Sequence, residues 1–403
     1  MAENLRMEWF IDIYDCCGCG ACEQVCPVGC ISMSENREGF LVPIKALDQC
    51  IQCGRCEKVC PVLNKREPDA TAKSCYMCKT QDEQLLDKSS SGGVFTHLAE
   101  WVLDSGGIVF GAAFNEDWGV KMLGIEDKES LALLRGSKYM TASVGHTYVE
   151  ALQALRIDRW VLYTGTPCQI AGLTHFLQKD YEKLLKVDIM CHGVPSPMVW
   201  KRYLKDLSQG NQVKNVSFRS KTFGWNRYAL KVEGENAVLV HEPNDENIYM
   251  RGFLNNLYNR TSCAKCPARG FNNGSDLTIG DYWELENLYP EAFDNKGMSL
   301  VIVHTPKGDE WRKKIADCSV MEPVEFQGVL QSGNHGTLWR SAVTHYGRNY
   351  FFSHLDESVP IGKQIETALR LEKPLTTKEK TVKIMKHLLG SQYYQIRDIW
   401  HRK

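Results

Sequence analysis

Cys16-Cys17-Gly18-Cys19-Gly20-Ala21-Cys22-Glu23-Gln24-Val25-Cys26-Pro27 decides how the N-terminal part of this chain is read, because the pattern returns as Cys50-Ile51-Gln52-Cys53-Gly54-Arg55-Cys56-Glu57-Lys58-Val59-Cys60-Pro61. Cys16, Cys19, Cys22 and Cys26 each have a counterpart 34 positions later, and Gly20 with Gly54 and Val25 with Val59 keep the same offset. Repetition at a fixed offset marks two copies of one unit. Both copies read CxxCxxCxxxCP, the spacing of bacterial-type 4Fe-4S runs. Thiolates two residues apart on a tight loop reach three irons of one cubane, and glycine lets the backbone pass close to the sulfides. The last cysteine of each run lies too far along to join them and serves the other cube in two-cluster ferredoxins. The expected sets are therefore Cys16, Cys19, Cys22 and Cys60 for one cluster, and Cys50, Cys53, Cys56 and Cys26 for the second. Zinc knuckles use two separated ligand pairs instead of runs of four closed by proline. Cys17 and Cys30 fall outside the register, and Cys30 reads as a small buried hydrophobe.

The chain has 403 residues, more than a typical domain of ~100–200 residues. The expected division is a two-cluster ferredoxin domain over 1–65, a larger domain over 73–330 and a helical basic tail over 347–403, with the polar stretch from Pro61 to Ala72 as linker. Hydrophobic residues at 43% and charged residues at 24% suit a sizeable globular core. A net charge of -1 gives no ground for a nucleic-acid partner. Residues 1–15 carry Glu3, Glu8 and Asp12 and have no uninterrupted apolar core, unlike a signal peptide. No stretch approaches the ~20 apolar residues of a membrane span. A cytoplasmic protein is expected, and there 17 cysteines point to metal binding in preference to disulfides.

Beyond the linker, β-rich runs at Ile108–Phe114, Trp160–Thr164 and Leu184–Met190 alternate with helical stretches at Val94–Leu103, Thr147–Leu155 and Ile170–Leu177. This pattern predicts an α/β domain with a partly parallel sheet. Alternation around Phe218, Tyr228, Leu230 and Val232 predicts an antiparallel portion. Ser89-Ser90-Ser91-Gly92-Gly93 leads into the helix at Val94 and reads either as a phosphate loop on a helix N-terminus or as a plain serine cap. Arg135-Gly136-Ser137-Lys138-Tyr139 is a second glycine turn, with a cation and a hydroxyl. In Thr164-Gly165-Thr166-Pro167-Cys168-Gln169 a strand passes into a helix with a cysteine at its N-terminus, where thiolate is favoured. Cys191 ends the next strand, so both thiols are expected at the carboxyl edge of the sheet. Cys263 and Cys266 form a separate CxxCP. Cys168, Cys191, Cys263 and Cys266 fit a third 4Fe-4S site, although unrelated core thiols or half a zinc site fit the spacing as well. Cys75 and Cys78 lie in a strand, where positions three apart face opposite sides. Cys318 reads as structural.

The strings SSSGGVF, LRGSKY, TGTPCQIAGL, CHGVPSP, the CxxCP at Cys263 and SDLTIGDYW at 275–283 resemble the coenzyme F-420 hydrogenase/dehydrogenase beta-subunit family, from about Lys73 to about Gly308. Its members are flavin and iron-sulfur oxidoreductases. The resemblance implies an FAD site and a further 4Fe-4S cluster in the larger domain, with Cys168, Cys191, Cys263 and Cys266 on the cluster motifs. It further implies that Ser91, Gly92, Gly93, Gly136, Ser137, Lys138 and Thr166 line the flavin.

The expected fold class is α+β: a small two-cluster ferredoxin fold, then a larger α/β flavin and iron-sulfur domain with a mixed sheet, then a helical tail. The tail has a helix signal at Thr376, Lys378 and Glu379, with Val382, Met385 and Leu389 on one face. The expected activity is that of an oxidoreductase passing electrons between a flavin-bound two-electron substrate and 4Fe-4S clusters, toward a redox partner protein or a small-molecule donor or acceptor. A non-catalytic electron-transfer subunit is the alternative, and an assembly role after cofactor loss is a third. Fold alone does not name the substrate.

Overall fold

The N-terminal repeat folds into two short helices, Ala21–Val25 and Arg55–Lys58, with a hairpin between them. The hairpin pairs β1 (Ile31–Glu35) with β2 (Leu41–Lys45) antiparallel, from Ile31↔Lys45 to Glu35↔Leu41. Gly20 and Gly54 cap the two helices at φ 69° and 70°, a left-handed turn that a side chain opposes. The computed structural model describes residues 11–69, 71–331 and 334–372, so the expected helix at Thr376–Gly390 and the basic residues around it lie outside the described residues.

The larger part holds β3 (Ser74–Thr80), β4 (Ile108–Phe114), β5 (Val120–Ile125), β6 (Ala142–Ser143), β7 (Val161–Gly165), β8 (Leu184–Ile189), β9 (Val213–Ser220), β10 (Ala229–Gly234), β11 (Val238–Pro243), β12 (Leu277–Asp281), β13 (Ser299–Val303) and β14 (Ser319–Val324). Nine of them form one mixed sheet in the order β14-β3-β13-β12-β8-β7-β4-β5-β6. At its centre β12, β8, β7 and β4 run parallel, so Asp281, Ile189, Gly165 and Phe114, the last residue of each, share the carboxyl edge where α/β folds place ligands. The predicted antiparallel portion is a separate sheet, β11-β10-β9. The helix expected from Ile170 starts earlier, at Pro167, because proline at the first position and a Thr166–Gln169 capping box fix its N-terminus.

Helices Thr147–Arg156 and Pro167–Leu177 cover one face of the large sheet, where Val161 and Tyr163 point. Leu162, one residue out of phase, joins the core on the other face with Leu98 and Val102 of helix Val94–Asp104. The same alternation separates Cys75 from Cys78, which enter different cores. The ferredoxin repeat is built into the first of these cores: Cys17, Cys19, Ala21 and Val59 pack with Tyr148, Ile170 and Leu173. Its hairpin is keyed in as well. The Glu38 carboxylate accepts from Arg348 at 3.1 and 2.6 Å, with both side chains 7% exposed. The Ser196 hydroxyl donates to the Glu38 carbonyl at 2.5 Å.

Candidate functional site

None of the 17 cysteines is in a disulfide. Cys26, Cys50, Cys53 and Cys56 line one cavity of about 320 Å³ together with Cys30 and Lys45. This is the set expected for the second cluster, with the fourth thiol supplied by the other run. Cys30 is closer to that site than its sequence position suggests, with its sulfur 3.5 Å from that of Cys26. Cys16, Cys19, Cys22 and Cys60, the first expected set, line a narrower recess of about 20 Å³ that Cys17 also borders. Here the fit to a cubane rests on the donor chemistry of four cysteine thiols. Among the described residues, no group of three or more His, Cys, Asp or Glu side chains is placed to hold a single metal ion.

Two cysteines of the larger part follow the carboxyl ends of the parallel strands β7 and β8. Cys168 occupies the first turn of helix Pro167–Leu177, and Cys191 follows the end of β8. Cys263 lies in the short helix Thr261–Lys265, which Cys266 ends. A backbone bond joins the two segments, Arg260 N–H to the Val194 carbonyl at 2.9 Å, and the Cys263 N–H donates to the Arg260 carbonyl at 3.0 Å at the start of the short helix. The Arg269 side chain adds a bond to the His192 carbonyl at 3.2 Å. Burial pushes the Cys263 thiol up to about 11, and the neighbouring Cys168 and Cys266 add to the rise. Cys191 is likewise pushed up by burial, against the charge of Arg269, with Cys263, Cys168 and Cys266 contributing. The four thiols thus share one electrostatic environment.

Cys17 connects this set to the ferredoxin repeat. Its buried thiol packs in one core with Cys19, and Cys168 packs against that core. Its position in the repeat gave no sign of this, because nothing in the first run indicates which helix packs against it.

The two glycine turns also meet. Ser137 N–H donates to the Ser90 hydroxyl at 2.9 Å, and the two hydroxyls are 3.2 Å apart. Lys138 donates to the carbonyls of Arg135 and Gly136 at 2.9 and 3.0 Å, and burial pushes its ammonium down to about 7. The Ser91 hydroxyl turns toward the Met298 carbonyl at 2.8 Å, and the Gly92 N–H toward the Ser299 hydroxyl at 2.9 Å. A Cβ at Gly92 would lie 2.1 Å from the Cys78 carbonyl, so packing against β3 by itself demands glycine there. Gly93 caps helix Val94–Asp104 at φ 92°. Thr166 contacts Cys168 at 3.2 Å and Gln169 at 2.9 Å, which places it beside the cysteines.

A residue that the sequence did not single out completes this edge. Buried Arg219 donates to the Ser90 carbonyl at 3.1 Å and to Asp281 at 2.7 Å, and lies over the rings of Tyr228 and Trp283 at 3.9 and 4.9 Å. Its Nε and Nη1 make no hydrogen bond among the described residues. A buried guanidinium with spare donors, next to a helix N-terminus, suits an anion such as a flavin phosphate. Its only sequence signal was its company, since Asp281 and Trp283 belong to the quoted string SDLTIGDYW.

Two CxxCxxCxxxCP runs folded into one repeat mark an iron-sulfur protein of the electron-transfer class. Residues 15–64 match the 4Fe-4S dicluster domain, while residues 75–147 and 158–327 match the N-terminal and C-terminal parts of the coenzyme F420 hydrogenase/dehydrogenase beta subunit. The chain belongs to the coenzyme F420 hydrogenase/dehydrogenase beta-subunit family, with a 4Fe-4S dicluster domain ahead of the family domain. No curated protein matches it. Among solved structures, a chain of the xenon-derivatised F420-reducing NiFe hydrogenase complex from Methanosarcina barkeri aligns at 18% identity and a TM-score of 0.45, over 80% of this chain and 96% of that one. Among the described residues, no helix is long and apolar enough to cross a membrane.

Proposed function

We propose that this protein is an iron-sulfur flavoprotein oxidoreductase that exchanges an electron pair with a substrate at a flavin and single electrons with a partner through three 4Fe-4S clusters. The observation that supports the reading is that Cys168, Cys191, Cys263 and Cys266 act on one another electrostatically, while Cys168 packs against the core that holds Cys17 and Cys19 of the ferredoxin repeat. In this reading residues 1–65 supply two clusters, residues 73–330 hold the flavin and the third, and 347–403 form a tail. Cys168, Cys191, Cys263 and Cys266 hold the third cluster. Arg219, Lys138, Ser137 and the Ser91–Gly93 loop hold the flavin, and Thr166 stands between it and the cysteines. A bound flavin supplies the change between two-electron and one-electron chemistry. The chain's own contribution is to keep the sites in order: the carboxyl edge, the third thiol set, the buried first set, and the second set, where Cys53 is exposed. That exposed end suits a redox partner protein.

Anaerobic purification followed by iron, flavin and optical analysis tests this. About twelve irons, as three cubes of four, and about one flavin are expected, with Cys263→Ser lowering iron toward about eight while both ferredoxin signals persist. About eight irons in fully reconstituted wild type sinks the third site. Protein with three clusters and no flavin leaves a wire without its own two-electron chemistry.

A further inference from the structure

Arg260 lies between the first ferredoxin set and the third thiol set, and neither the repeat nor the family strings account for it. It is 4% exposed. Its Nη1 donates to the Cys16 carbonyl at 3.0 Å and its Nη2 to the Leu41 carbonyl at 2.8 Å, while Nε makes no hydrogen bond among the described residues. The guanidinium lies over the Phe40 ring at 4.8 Å. It also fills the space above Gly18, where a Cβ would sit 2.7 Å from Nη2, at a residue whose φ of +71° already favours glycine. On its other side the backbone of Arg260 leads directly into the third set, with its carbonyl accepting from Cys263 N–H at 3.0 Å. Its charge acts on Cys16 of the first set and on Cys168 and Cys263 of the third. The other arginine near these thiols, Arg269, acts on Cys191 and Cys266 of the third set.

We infer that Arg260 is a shared electrostatic positioning residue: one fixed positive charge, held between two cluster sites, that raises the reduction potentials of both together. The inference rests on the proposed third site. A cluster gains a negative charge on reduction, so a cation held nearby in a weakly screened interior favours the reduced form. Because one guanidinium serves both sites, both shift in the same direction. The second set has cations of its own, Lys45 and Arg55, lining its cavity, and is expected to lie outside this influence.

Redox titration followed by electron paramagnetic resonance of the whole chain, in parallel with iron analysis, tests the assignment. Arg260→Gln removes the charge but keeps an amide donor for the Cys16 carbonyl, and Arg260→Lys keeps the charge but loses the fork. In Arg260→Gln the first and third signals are expected to move to lower potential together, by at least tenfold in the reduced-to-oxidised ratio at fixed solution potential, or about 59 mV for a one-electron couple. The second signal stays in place. Arg260→Lys keeps all signals near wild type, and Arg269→Gln moves the third alone. First and third signals unmoved in Arg260→Gln, all signals moving alike, or Arg260→Lys shifting as far as Arg260→Gln would overturn the inference. Should Arg260→Gln fail to hold iron, Arg260→Met, which also removes the charge, is read by the same criterion. About eight irons in wild type would remove the third site but leave the effect on the first cluster measurable.

Discussion

A lysine at neutral pH usually contributes a fixed charge, but Lys138 does not, because burial lowers its ammonium to about 7. The charged form is present below that value and lost above it, so affinity for an anionic cofactor held there is expected to fall as pH rises through 7. Loss of one charge-assisted hydrogen bond corresponds to ~1.5 kcal/mol, about tenfold in affinity between pH 6 and pH 9. Flavin binding measured by fluorescence quenching should show this slope in wild type, and Lys138→Met should flatten it. An equal slope in the variant would assign the pH effect to another group. At this scale the cysteines of the repeat were legible because a fixed offset of 34 positions needs no folding to be seen. Arg219 and Arg260 were not, since a single arginine in a polar stretch looks the same whether it is solvated or buried over Tyr228 or Phe40. Cys17 was hidden for the same reason, the core it enters being built from helices far along the chain.

Elements decide whether such residues meet. The runs at 108–114, 161–165 and 184–189 were readable from their composition and spacing. Their parallel order placed Cys168 and Cys191 at one edge as expected, but the approach of the 259–269 segment depends on the bridge Pro195↔Asn259, which no local pattern announces. Helix Pro167–Leu177 gives a sharp test of the packing between the two parts. Gly172 lies inside it, where alanine would ordinarily gain up to ~1 kcal/mol of helix propensity. A Cβ there, however, meets the Cys19 Cβ and the Tyr148 hydroxyl at 2.8 Å each. The clash should outweigh the propensity, with overpacking costing ~1–3 kcal/mol. Gly172→Ala is therefore expected to lower the thermal midpoint, and a raised midpoint would show that the helix does not bear on the ferredoxin loop. The β1–β2 hairpin offers a second test. Removing Glu38 leaves Arg348 as an unpaired buried charge, a loss of ~3–5 kcal/mol. Glu38→Ala should lower the unfolding midpoint in urea strongly, and Glu38→Leu with Arg348→Met should recover much of it. Equal losses in the single and double variants would mean that the pair acts through packing alone.

Across the whole molecule the thiol sets differ most in their access to solvent. Cys53 is exposed and Cys50, Cys56 and Cys26 are partly so, whereas Cys16, Cys19 and Cys60 are buried. Ile51 at 61%, Leu47 at 56% and Val28 at 44% exposure stand on the same part of the repeat, an apolar setting at the surface that a partner could cover. Cys168, Cys191, Cys263 and Cys266 are partly exposed, as is Cys22 of the first set, so the fully exposed thiol belongs to the second set. Attack by a chelator or an oxidant requires approach to the iron or its ligands, so loss of iron should follow exposure and not the order of the chain. Treating reduced holoprotein with a chelator such as bathophenanthroline is expected to release about four irons in a fast phase and the remainder slowly, given four irons per cube. At the end of the fast phase the signals of the first and third clusters should persist, and reduction through the flavin should still reach them while transfer to an external protein acceptor fails. Release of all iron in one phase would mean that the clusters are lost through global unfolding. Early loss of the first or third signal would reverse the proposed order from interior to surface, and with it the assignment of the Cys53 side as the partner face.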